Sequence, residues 1–311
     1  MLTRVAVIAL NAYREAVRAR ILHGLFALAL ATAGYALVVG AYAIRTRLRV
    51  VSDLGAASTS LYAIVVAVVL GATSLYRELE LKTIFPILAR PIRRAEYLVG
   101  KLLGIVLTLA VFIAANAGVL LVALGVLSRD GAGGVVGAGL LALCSALGAA
   151  AWKLPRTRTY LPLFAALVLV VAGFVLADGA PDDRRVVVGS AVLTLCEVLV
   201  IASLATLFSA FSSPFLTAVF TLAVFVIGRS ADSLAKLPVR VFGAFIHDVF
   251  AAVAKVVPNL MWYVPPRTLL TGETVGQTLT THVLLAAGYA GAWAVLLITL
   301  AAVVFKRRDF L

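Results

Sequence analysis

From Leu102 to Leu127 the chain carries no charged side chain. An α-helix rises about 1.5 Å per residue, so about 20 apolar residues match the ~30 Å hydrocarbon core of a bilayer. A helix that is apolar all round has no face to give to water, and in a chain of this size lipid must supply its surroundings. The pattern recurs at residues 21–44, 54–76, 186–211, 215–228 and 281–305, with 215–228 the shortest. Two marginal runs, 135–152 and 160–177, are joined by the basic turn Lys153 to Arg158. The chain therefore reads as an all-α integral membrane protein, a single polytopic helix bundle of about eight spans. Composition agrees. At 63% hydrophobic and 13% charged, it departs from the roughly 45–50% and about 25% of soluble domains, which excludes a soluble globular enzyme and a disordered chain.

Charge orients the bundle. With the N-terminus inside, the inner segments hold Arg4, Arg14, Arg18 and Arg20; Arg77, Lys82, Arg90, Arg93, Arg94 and Lys101; Lys153, Arg156 and Arg158; and Lys306, Arg307 and Arg308. These are sixteen of the 27 lysines and arginines, while eight of the 14 acids fall outside. Basic residues accumulate on the cytoplasmic side, and an even number of spans then leaves both termini cytoplasmic. Arg45, Arg47 and Arg49 in the first outer loop run against the rule, but the opposite orientation sets sixteen bases against it. The net charge of +13 is thus a topology signal, and no nucleic-acid partner is expected. The first apolar run is too long for a secretory signal and reads as an uncleaved span.

Three stretches are amphipathic. Residues 4–18 place Arg4, Asn11, Arg14 and Arg18 on one face against Val5, Ala9, Ala12, Ala16 and Val17, the pattern of an interfacial helix on the inner leaflet. Residues 239–257, within the outer segment 230–280, set Arg240, His247, Asp248 and Lys255 against Val241, Phe242, Phe245, Val249, Phe250 and Val253. This helix reads either as an anchor for the following span or as a lid on an outer vestibule. The third stretch, 77–101, is the largest inner loop.

Chemistry is sparse. Cys144 and Cys196 lie inside apolar runs without a C-x-x-C pair, and read as small buried hydrophobes. Gly100-Lys101 is followed by Leu102, so there is no P-loop. His23, His247 and His282 are scattered, and there is no G-x-S-x-G elbow. No enzyme activity, cofactor or metal is expected in this chain. One ionisable residue, Glu197, stands in the middle of an apolar run. A charge at mid-bilayer costs roughly 2.5–3.5 kcal/mol on insertion scales, so Glu197 requires a partner. It reads either as a proton, cation or substrate contact, or as a link between helices through a Ser, a Thr or a backbone carbonyl.

The inner loop carries Glu78 and Glu80, then Thr83 and Ile84, then Leu88-Ala89-Arg90-Pro91-Ile92-Arg93-Arg94, then Tyr97 and Gly100-Lys101. This order resembles the signature of type-2 ABC (ATP-binding cassette) exporter permeases: an acid after the second span, a Thr opening a short helix, L-x-x-P-[VI]-x-R, an aromatic, and G-K before the third span. Ser209 to Pro214, Val257-Pro258-Asn259-Leu260 and Phe305 to Phe310 resemble the family's inner turn, outer segment and closing tail. Only about 129–185 falls outside the likeness. The family has six spans, so 129–185 reads as an inserted hairpin.

The resemblance implies a permease subunit that binds no ATP itself. It would pair with a cytoplasmic ABC ATPase subunit, which holds ATP and Mg, and with a second permease copy or paralogue in the lipid membrane. Residues 83–88 would be the core of a coupling helix, with Glu78, Glu80, Thr83, Ile84, Leu88, Arg90, Pro91 and Arg94 facing the ATPase. The gate candidates at the outer side would be Phe242, Phe245, His247, Asp248, Pro258 and Asn259. Local physics fits: Thr83 can cap a helix, and the residue before Pro91 is pushed out of the α region. Rivals from other classes are a stand-alone secondary transporter or channel, and a membrane anchor for a partner complex. Arginine outnumbers lysine, which suits a GC-rich bacterium and the bacterial cytoplasmic membrane.

Overall fold

The computed structural model describes residues 2–43, 45–80, 94–128, 159–236, 244–273, 276 and 278–307. Among these, all regular structure is helical. The helices are α1 (Leu2–Arg18), α2 (Arg20–Tyr42), α3 (Arg47–Glu80), α4 (Arg94–Leu127), α5 (Leu161–Leu176), α6 (Pro181–Ser209), α7 (Pro214–Arg229), α8 (Ala231–Ala235), α9 (Ala244–Val256), α10 (Arg267–Thr271) and α11 (Leu279–Arg307), with 3₁₀ turns at Ala177–Gly179 and Leu260–Tyr263. Six helices are long and apolar enough to cross a membrane: α2 to α6 and α11. α7 is apolar but shorter. The chain is a helical, multi-pass membrane protein. The apolar run 135–152 lies outside the described residues.

Two helices extend furthest beyond the runs that announced them. α3 begins at Arg47 rather than Leu54, and α3 and α4 each have 34 residues. At about 1.5 Å per residue each is about 51 Å long, well beyond the ~30 Å apolar core. In the extra turns of α3 after Arg47, Asp53 pairs with the neighbouring Arg49 and with Arg267 from a distant part of the chain.

The core lies between α3, α4, α6 and α11, where Ile64, Leu109, Ile201, Leu260 and Ala290 are buried in one cluster. Small residues set the approach. A Cβ on Gly71 would stand 2.4 Å from the Cβ of Ala205, so α3 and α6 meet backbone to backbone there. α4 and α5 share a longer seam: Gly118 faces Leu169, Gly173 faces Leu121, and Gly125 faces Leu176. Both sequences rise together along it, so the two helices are parallel. Ser128 and Thr159, the described ends of the intervening connection, accordingly lie at opposite ends of the bundle. Gly118→Val would drive a side chain into Leu169, and overpacking of this kind typically costs ~1–3 kcal/mol. A clear fall in the thermal midpoint is expected; an unchanged midpoint would refute the seam.

α1 also lies on α4. Its Ile8 and Ala12 close over Gly100 and Gly104, leaving no room for a Cβ on either glycine. Ala12, Tyr13, Ala16 and Val17 are buried, so the apolar face read for a bilayer surface is spent largely on protein. The Tyr13 hydroxyl donates to the Thr159 carbonyl at 3.2 Å. Burial, and secondarily Tyr160, push the Tyr13 hydroxyl above its ordinary pKa, which keeps it a donor.

The segment after α7 folds back among the helices. The Asn259 backbone N–H donates to the Tyr289 hydroxyl at 2.9 Å. Tyr289 lies about 15 Å along α11 from Leu279. Leu260 and Tyr263 are buried there.

Candidate functional site

The loop carrying the permease-like motif is described only at its ends. Thr83, Ile84, Leu88, Arg90 and Pro91 lie outside the described residues. Glu78 and Glu80 are in the last turns of α3, and Arg94 is the first residue of α4. Their side chains lie outside the description. The helix ends below the loop are tied together. Lys101, 3% exposed, donates from Nζ to the Ser74 carbonyl and reaches the Tyr97 hydroxyl at 3.5 Å. Tyr97 packs with Leu98, Ala210, Ala301 and Phe305. One lysine thus joins the end of α3 to the start of α4, and the tyrosine beside it extends the junction to α11 and the turn after α6. Glu96 is also buried here, and its Oε2 is the one buried side-chain oxygen or nitrogen without a hydrogen-bond partner among the described residues.

Glu197 on α6 is fully buried. Its two oxygens accept from Arg229 at the end of α7, from Nε at 2.9 Å and from Nη2 at 3.0 Å. Ser60 of α3 donates to the same carboxylate at 3.5 Å. Bidentate Arg–carboxylate geometry is the strong form of this bond. The sequence points to a hydroxyl or a carbonyl as the partner. The structure instead pairs two charges, with the hydroxyl in a lesser role. The signal for Arg229 was the shortness of its own run. A helix of 16 residues from Pro214 covers about 24 Å, so its last residue stops at the depth of Glu197. Glu197→Gln separates the roles: unchanged assembly and transport would leave the pair a structural link, whereas folded protein without transport would make it part of the pathway.

Of the outer gate candidates, Pro258 and Asn259 meet the end of α7. The Pro258 carbonyl lies against Gly228, and the Asn259 side-chain amide donates to Asp232 at 2.7 Å while its oxygen accepts from the Met261 N–H at 2.9 Å. Phe245, 80% exposed, and Asp248, also exposed, lie on α9. His247 is on the same helix with its side chain outside the description, and Phe242 lies outside the described residues.

A second ionic cluster was not foreseen. Arg267 of α10 bonds Asp53 of α3, Asp183 of α6, and the Ser52 hydroxyl at 3.2 Å. Ser52 in turn donates to Asp183 at 2.7 Å. In sequence these residues are ordinary loop charges far apart, and only the fold brings them together. Asp53 remains half exposed, so solvent screening weakens its share. Arg267→Ala is expected to cost about 1–3 kcal/mol, mainly through the mostly buried Asp183 it leaves without a cation. A thermal midpoint indistinguishable from wild type would make the cluster ornamental. Among the described residues, no group of His, Cys, Asp or Glu could hold a metal ion.

In comparisons with known proteins, no family model matches the chain, and no curated protein matches it.

Proposed function

We propose that the chain is the membrane-spanning permease subunit of an ABC exporter in a bacterial cytoplasmic membrane, with both termini inside. The observation that carries this reading is the ordered motif from Glu78 to Lys101, borne between two helices longer than a membrane requires and tied together by Lys101. In this reading a separate cytoplasmic ATPase binds ATP and Mg. It docks on residues 83–88, and its closure moves α3 and α4 as one lever. A second permease copy or paralogue completes the pathway, and the segment around Pro258 and Asn259 closes its outer side. The parallel seam of α4 and α5 supports a count of eight spans, because the chain leaves α4 at one end of the bundle and enters α5 at the other.

The test is affinity purification from the native host. The expected result is co-purification of an ABC ATPase whose activity responds to the permease and loses that response when residues 83–88 are substituted. Absence of any ATPase, or a response indifferent to those substitutions, would refute the reading. A secondary transporter is the second reading, and the buried Glu197–Arg229 pair favours it, since such transporters use intramembrane charge and interrupted helices. It requires transport driven by an ion gradient without ATP.

A further inference from the structure

A cavity of about 530 Å³ opens between α2, α4 and α5 and touches the end of α1. Val17, Phe26, Val111, Phe112 and Leu169 are among its walls. Its two polar wall residues other than backbone are satisfied by their own chain neighbours: Thr108 donates to the Gly104 carbonyl at 2.9 Å, and His23 donates from Nδ1 to the Ala19 carbonyl at 3.1 Å. The wall therefore asks for an apolar occupant, and the volume lies within the ~300–1,000 Å³ of small-molecule sites.

The mouth has a different character. α2 starts at Arg20 and α5 at Leu161; α5 is apolar from its first turn, and α2 becomes so after Arg20 and His23. The groove thus begins where apolar helix meets polar surroundings. Arg14 binds the Tyr160 hydroxyl and lies over its ring, 5.5 Å from the centroid. Arg18, one turn later, is exposed, as is His23. Glu15 is the one acid in α1, so the mouth is net basic. From Leu22 to Leu30, and from Leu161 to Leu169, the walls rise about 12 Å, close to the ~15 Å of one leaflet's hydrocarbon.

We propose that this groove holds one acyl chain of an anionic phospholipid, with its phosphate at the Arg14–Arg18 mouth. The inference concerns lipid alone and is independent of whether an ATPase partner exists. It is tested on the full-length protein, stripped of lipid in detergent. The protein is reconstituted into vesicles of phosphatidylcholine with or without phosphatidylglycerol, re-extracted, and weighed intact by native mass spectrometry. The expected result is one retained phosphatidylglycerol per chain, preferred about 10–30-fold over phosphatidylcholine, as two arginines beside a headgroup imply. Ala165→Phe, which fills the groove, should abolish retention, and Ala115→Phe does the same from the facing wall. Arg18→Gln should keep the fold and lower the preference several-fold, which keeps the test decisive if a filling variant fails to fold. Equal retention of both lipids, retention unchanged by either filling variant, or no retained lipid because protein fills the groove would each overturn the proposal.

Discussion

Glu197→Ala is expected to cost about 3–5 kcal/mol of stability, because it leaves the Arg229 guanidinium among helices without its carboxylate. Arg229→Ala should cost a similar amount by stranding Glu197, which is fully buried and has only the long Ser60 bond in reserve. Replacing both residues by leucine should cost much less than the sum, since no charge is then left desolvated. The measurement is a double-mutant cycle on the thermal midpoint of the purified protein. A single variant within about 0.5 kcal/mol of wild type would place Glu197 in water rather than among α3, α6 and α7. So would strictly additive effects.

Lys101→Met should have the second large effect, and on function rather than folding. Methionine keeps an apolar stem of similar length, so Tyr97 and its neighbours can stay packed. It removes the ammonium that bonds the Ser74 carbonyl. A hydrogen bond to a charged group contributes about 1.5–3 kcal/mol, and every 1.4 kcal/mol is tenfold in an equilibrium. If the loop works as a lever between an ATPase and the membrane, coupling should fall by about tenfold or more while expression and assembly persist. The readout is the permease-dependent ATPase rate in reconstituted vesicles. Arginine at this position should restore part of the coupling, which a purely structural role would not require. An uncoupled wild-type rate, or a variant with undiminished coupling, would remove Lys101 from the mechanism.

The positions of the long helices were legible because lipid imposes one rule on every residue of a span, and composition records it. Their ends were less so. α3 starts at Arg47, and its early turns are held through Asp53 and Ser52 by Arg267, a partner that no local pattern names. α1 was legible as amphipathic, yet periodicity does not say whether an apolar face meets lipid or protein; Gly100 and Gly104 on α4 decide that. Glu197 announced itself through its cost. Its partner required the length of α7, a geometric quantity, rather than any motif. The loop between α3 and α4 is the reverse case: its residues are legible only as a pattern, and Thr83 to Pro91 lie outside the described residues.

The two ionic clusters differ in when they can form during synthesis. Glu197 and Arg229 are 32 residues apart, so the ribosome delivers both ends of that pair almost together. α6 and α7 can enter the membrane as a hairpin whose charges already neutralise each other. Arg267 follows Asp183 by 84 residues and Asp53 by 214. Both aspartates must wait for Arg267, Asp53 through most of translation with only the exposed Arg49 beside it, and they can wait cheaply only where water reaches them. The early helices therefore insert before the element that pins them together has been made. A chain truncated before Arg267 should insert the spans it has and yet remain loose, which makes the late segment around Arg267 the point at which quality control can tell a finished molecule from an unfinished one.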